Sequence, residues 1–458
     1  MEATTPTPMT TQTAPPEAYT LPFRAQPNSV EETGIGFGQL LDLCVKTIYF
    51  AGRPSARQVS SQMALPFNVV DSILAFLKRE KYIEVVGSVG IGEQEYQYAL
   101  AGKGTEKAVE ALDRNQYVGP APVPFEHYAA IVTEQSIRRL RVNADIVNTA
   151  FKDLVLNPTT RSLVGPAVNS GRSMLLYGAP GNGKSSIAKA IGSMLSGLIL
   201  IPHAIDVGGQ TIRLFDPRIH EEVDEPPPPP PEHRRETNGH ARAERRRDQR
   251  WVIAKRPLVM TGGELTLADL ELKYSPQAKF YMAPVQMKAN CGVLVIDDFG
   301  RQLVQPKELL NRWIIPMEAR VDHLSLLSGE TIEIPFEMLL AFSTNIPPHQ
   351  LGDEAFFRRI RHKIEVGDPD EESFLAILRL ACEHQSIAYR PEGGEYLLNR
   401  YYRPTARPFR GVHPRDILDL LVDISSFQGV RPEFTAEWID LACASYFIDN
   451  HAEQPVQL

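Results

Sequence analysis

The residues with the clearest chemical capacity lie in YGAPGNGKSS, positions 177–186, directly after the apolar run Met174-Leu175-Leu176. Glycines at 178, 181 and 183 free the main chain to close its N–H groups around an anion. Ala179, Pro180 and Asn182 complete that cradle, and Lys184 can reach the outer phosphates of a ligand held there. Ser185, followed by Ser186, offers a hydroxyl to a Mg²⁺ ion. The next stretch, SSIAKAIGSMLSG, has helical periodicity, so the anion would rest on a helix N-terminus, where the dipole favours negative charge. The chemistry expected of this segment is the binding of a nucleotide polyphosphate.

A pair of carboxylates follows in GVLVIDDFGRQ, where Val293–Ile296 run into Asp297-Asp298. Strands buried in a parallel sheet read as continuous apolar runs, and ligands collect at their carboxyl ends. Asp297 is therefore expected to hold Mg²⁺ through water, and Asp298 to orient or deprotonate an attacking water. The triplet Asp298-Phe299-Gly300 also spells a kinase signature, but the chain has neither an H-R-D loop nor a V-A-I-K strand to accompany it. No Asn-Lys or Thr-Lys pair is present to build a guanine reader, which makes adenine the expected base.

With these motifs in this order the chain resembles the AAA+ ATPases over about residues 137–445. The resemblance implies an α/β fold: a P-loop NTPase parallel sheet of AAA+ type with a C-terminal helical lid and an N-terminal winged-helix-like domain. It also implies ATP and Mg²⁺ as ligands. Asn345, at the end of the apolar strand MLLAFSTN, matches the family's sensor 1. In AFFRRIRHKIEV, Arg359 is the first choice and Arg358 the second for an arginine finger entering a neighbouring subunit's site. Arg415, in GVHPRDILDL, matches sensor 2, a cis arginine on the phosphates. A trans finger implies a homo-oligomeric ring, expected to be a hexamer. One departure stands out: most members carry Glu where this chain has Asp298, and the shorter carboxylate suggests slower hydrolysis.

The elements that must position these groups divide the chain. Residues 1–34, rich in Pro and Thr, read as a disordered tail. Residues 35–116 read as three helices, a β-hairpin and a trailing helix, the order of a winged-helix-like domain. Residues 117–136 read as a proline-stiffened linker, 137–365 as the nucleotide-binding domain and 366–458 as the helical lid. A flexible Pro/Arg-rich insertion at about 221–250 is expected at the tip of a long hairpin over 210–262, with Phe280-Tyr281 facing a pore.

Bulk properties set the remaining expectations. A net charge of −8 gives no overall pull toward nucleic acid or anionic lipid, and residues 35–115 hold nine Lys/Arg against nine Asp/Glu. DNA binding is therefore disfavoured as the role of the N-terminal domain, and an unknown protein client is preferred. An ATP-switched DNA-binding regulator is the alternative. Four scattered cysteines in no ligand spacing, no signal-like start and no long apolar run point to a reduced cytoplasmic protein without a membrane partner.

Overall fold

In the computed structural model, which describes residues 20–224, 246–351 and 357–447, the apolar tetrapeptides become neighbouring strands. The central sheet has the order β16 (His362–Glu365), β4 (Met174–Tyr177), β15 (Leu339–Thr344), β12 (Val293–Ile296) and β9 (Leu258–Thr261). Every pairing in it is parallel, so all five carboxyl ends share one edge. Because side chains alternate across a strand, Met174, Leu176, Val293 and Val295 pack on one face with Ile187 and Ile191 of the helix Lys184–Met194. Leu175, Leu294 and Ile296 pack on the other, with Leu309 and Trp313 of the helix Pro306–Ala319. Covering both faces explains the unbroken apolar runs. The fold is that of an α/β P-loop NTPase, followed by the expected lid helices at Glu371–His384, Pro391–Leu397, His413–Gln428 and Ala436–Tyr446.

Ahead of this sheet lie helices Phe37–Ala51, Ala56–Met63 and Phe67–Arg79, the hairpin β1 (Ile83–Ser88) and β2 (Tyr96–Leu100), and helix Gly102–Arg114. Ser55 caps the second helix by accepting from the Gln58 amide, with the Gln58 side chain returning the bond.

Several expectations are corrected. The proposed linker carries β3 (Val123–Pro124) and helix Phe125–Glu134, whose Tyr128, Ile131 and Val132 enter the core. Their i, i+3, i+4 spacing is a helical stripe that the three preceding prolines obscure. The long hairpin over 210–262 does not form. Instead β7 (Gln210–Arg213) pairs with β6 (Ala204–Val207) and with β11 (Phe280–Met282), which β10 (Lys273–Ser275) borders. Strand β8 (Trp251–Lys255) pairs with β5 (Leu198–Pro202), and four of its five residues are buried between apolar neighbours. Tyr281 is buried, its hydroxyl accepts the Leu327 amide beyond β13 (Val321–Ser325) and before β14 (Thr331–Pro335), and Phe280 packs on Tyr117. Tyr281 is therefore a core residue, and Phe280 stands half-buried beside it.

The expected tail and insertion are ordered where they meet. The Gln26 amide donates to Arg246 O, and the Asp248 amide to Arg24 O. Arg250 and Asp248 form an ion pair with side chains only 3% and 5% exposed, and Arg250 also donates to Thr33 O and Pro122 O. Residues 1–19 and the proline run with most of its basic sequel, 225–245, lie outside the described residues. The four cysteines are buried free thiols. Among the described residues no helix is long and apolar enough to cross a membrane.

Arg250→Met should lower stability by about 3–5 kcal/mol, because Asp248 would stay buried without its counter-charge; a denaturation midpoint equal to wild type would assign the pair no structural weight. A pH effect is also expected. Burial, aided by Arg407 and Arg410, pushes the His413 imidazole down to about 4. The folded ring is then neutral where the unfolded ring, titrating at about 6.5, takes up a proton, so this contribution is complete above about pH 6.5 and fades as pH falls toward 4. His413→Gln should therefore lose less urea resistance than wild type between about pH 7 and pH 5, whereas equal losses would show that His413 titrates normally.

Candidate functional site

The loop from Gly178 to Gly183 leaves β4 at the carboxyl edge and turns into the helix Lys184–Met194. Two glycines are dictated by contact as well as by angle. At Gly178 (φ 146°) a Cβ would lie 2.3 Å from Val366 O, and at Gly181 (φ 82°) 2.6 Å from Val412 Cγ1. The helix start at Gly183 has no side-chain cap, so its first amides are left to a ligand. Lys184 Nζ folds back to donate to Gly178 O at 3.0 Å and Ala179 O at 2.8 Å. Burial, partly opposed by Asp297 and Asp298, lowers the pKa of this ammonium. Pro180 and Ser186 stand exposed on the outer side.

The carboxylates meet this loop from two strands away. Ser185 Oγ donates to Asp297 Oδ2 at 2.6 Å, while the Asp298 amide donates to Asp297 Oδ1 at 3.0 Å, so both oxygens of Asp297 are held. Asp298 takes a left-handed backbone (φ 47°), rare for a residue with a side chain, and Asn345 Nδ2 donates to its Oδ1 at 2.9 Å. Strand β15, entirely buried between β4 and β12, delivers Asn345 to that point.

Gln302 was not anticipated. Its amide nitrogen donates to Asp297 O at 3.1 Å and its oxygen accepts the Gly300 amide at 2.8 Å, bracing the turn on which both acids stand. A glutamine in the turn beyond a strand end gives no sequence signal for this.

The donors suit a polyphosphate with Mg²⁺: Mg²⁺ favours one or two carboxylates plus phosphate oxygens and water over a dedicated protein cage. Asp297 and Ser185 are the oxygens available for it. Among the described residues no group of three or more His, Cys, Asp or Glu could hold a metal ion by itself.

The arginines are placed differently from one another. Arg415 is not brought to the loop: its side chain is 67% exposed and follows its own helix to Asp416 at 3.2 Å and Asp419 at 4.0 Å. The lid cation at the loop is Arg410, which pairs with Asp368, because residues 410–412 cross the loop before the helix His413–Gln428 begins. Arg359 pairs with Glu318 at 2.5 Å, and its carbonyl accepts Ser173 Oγ at 3.3 Å. Ser173 precedes β4, so Arg359 sits at the amino edge of the sheet, about 17 Å of extended chain from Gly178. Arg358, beside it, is exposed.

Residues 370–445, the lid helices, match a family described as a domain of unknown function (DUF8689). No curated protein matches the chain. Among solved structures, NtrX from Brucella abortus is similar at TM-score 0.37 and 13% identity over 74% of this chain, which spans 66% of that one. The RuvB Holliday junction branch migration motor from Thermotoga maritima is similar at TM-score 0.32 and 13% identity, covering 70% of this chain and 74% of that one. Domain III of the replication initiation protein DnaA from Thermotoga maritima is similar at TM-score 0.34 and 13% identity, covering 68% and 100%. The fold assignment rests on the strand order and loop geometry above.

Lys184→Ala should weaken ATP binding by about 1.5–3 kcal/mol, the worth of a hydrogen bond to a charged group, with the melting temperature nearly unchanged. Calorimetric titration reads the outcome, and unaltered affinity would remove the loop from nucleotide binding.

Proposed function

We propose that the chain is a Mg²⁺-dependent ATPase of AAA+ type that works as a homo-oligomeric ring and remodels or assembles a protein partner. The observation that carries the reading is the convergence of Lys184, Ser185, Asp297, Asp298 and Asn345 on one sheet edge, through the bonds Ser185–Asp297 and Asn345–Asp298. In the proposed reaction a water oxygen bonds to the γ-phosphorus, the bond to the β,γ-bridging oxygen breaks, and ADP leaves. Asp298 takes the water's proton, Asn345 fixes that carboxylate, and the loop amides with Lys184 bind the phosphates. Mg²⁺, held through Ser185 and Asp297, would offset charge on the phosphate oxygens.

Support for a ring comes from Arg359, which stands at the sheet edge opposite its own phosphate loop. In cis that edge lies across the sheet from the loop, whereas a neighbour packed against it would receive the arginine. The number of subunits, with a hexamer as the expectation, belongs to the same proposal.

For the N-terminal winged-helix-like domain, protein docking is the reading preferred over DNA. The helix Phe67–Arg79 would be the groove-reading helix, yet near its start Asn68 Nδ2 donates to Asn28 O at 2.6 Å, so the segment before the domain already lies against it.

Subunit mixing tests the ring. Arg359→Ala and Asp298→Asn should each lower turnover by roughly 10³-fold or more. Combined, they create interfaces with one intact Asp298 and one intact Arg359, so activity should return. Absence of rescue despite confirmed subunit exchange would refute a trans arginine. Steep, salt-sensitive binding of the full chain to random duplex DNA would favour the regulator instead.

A further inference from the structure

The hinge between the sheet and the lid carries an acid where an anion site would least tolerate one. After β16, the Val366 amide donates to Tyr177 O, which keeps the chain against the end of β4. Two residues later the Asp368 carboxylate accepts from Asn182 Nδ2 of the phosphate loop at 2.7 Å and pairs with Arg410 of the lid. Asn182, itself buried, uses its Oδ1 to accept the Gly411 amide at 3.2 Å. One loop side chain is thus gripped by the hinge and by the lid, and Val412 closes over Gly181.

The arrangement has an electrostatic consequence. A carboxylate bonded to the phosphate loop repels a triphosphate, and Arg410 is the cation that cancels it. Arg410, paired with Asp368 beside the buried Asn182, stands at the rim of the cradle.

We propose that Asp368 is a counter-charge that detains Arg410 at the lip of the phosphate loop and, by setting the charge there, limits how tightly the loop holds a triphosphate. This rests on the reading of the loop as an ATP site. Arg410 then acts as a positioning residue through Asp368, and loss of the arginine exposes the acid rather than removing a phosphate contact. The same bonds join lid to loop, so that movement of Asn182 on phosphate arrival passes to Gly411 and the helix behind it.

A double-mutant cycle on the full chain decides it, with affinity for Mg·ATP and for tripolyphosphate measured by titration. Asp368→Asn keeps an acceptor oxygen for Asn182 while removing the charge, and should tighten binding several-fold. Arg410→Ala should weaken it at least tenfold, since one unit charge acting over several ångströms at an effective dielectric constant near 20 is worth more than that. The double variant should return to within about threefold of wild type. A double variant that binds as weakly as Arg410→Ala alone would overturn the proposal, since Arg410 would then contact the phosphates directly; so would affinities that do not move. Hydrogen exchange without any nucleotide gives the second readout. The Gly411 amide should exchange at least tenfold faster in Asp368→Ala and close to wild type in Asp368→Asn. If wild type bound neither probe, the ATP reading would fall, while unchanged Gly411 exchange in Asp368→Ala would sink the clasp by itself.

Discussion

A parallel strand covered on both faces is apolar over most of its length, and in β15 the polar Ser343 and Thr344 come only at the last two positions. That constraint organises the site. Strands β12 and β15 are buried along their whole length, so the first positions where Asp297 and Asn345 can stand are the carboxyl ends, and parallel pairing puts those ends on one edge. The phosphate loop leaves β4 at the same edge, next to β15.

A second device ties distant segments together. Arg250, nearly excluded from solvent, gathers Asp248, Thr33 O and Pro122 O, so the chain before the first helix, the stretch after the helix Gly102–Arg114 and the far end of the insertion meet at one guanidinium. An arginine can do this because its planar fork of donors points in several directions at once, and because it stays charged when buried. The N-terminal domain is thereby seated on the sheet of β3, β6, β7, β11 and β10, where Ala204 and Phe280 enter its core.

The lid approaches the loop through contacts of another kind. Val366 O and Val412 occupy the space that Gly178 and Gly181 leave open, and Asn182 is bonded on both sides. Three loop positions are therefore set by what lies behind the loop. Glycine there answers to two constraints, close approach of Val366 O or Val412 and a positive φ, and the two together disfavour a side chain.

The groups with chemical capacity were legible in the amino-acid order because each motif is contiguous. Gly178–Ser186, Val293–Asp298 and the strand ending at Asn345 carry their own local geometry, and the apolar runs announce a sheet buried on both faces. The sheet's strand order, and with it the bond from Ser185 to Asp297, has no signal in any single motif. Other features had no local signature. Trp251–Ala254 reads as a strand, but nothing in those residues names β5 as its partner, since pairing is chosen by surfaces far apart in the chain. Tyr128, Ile131 and Val132 held a helical stripe that prolines 120, 122 and 124 concealed. The choice between Arg410 and Arg415 is decided by the path of residues 410–412 across the loop, and Asp368 matters only because the hinge returns to the end of β4. Local sequence determined which residues have the chemistry proposed for phosphate and metal. Tertiary structure decided which charges stand around them, because Coulomb interaction depends on separation in space and the chain brings together residues that are remote along it.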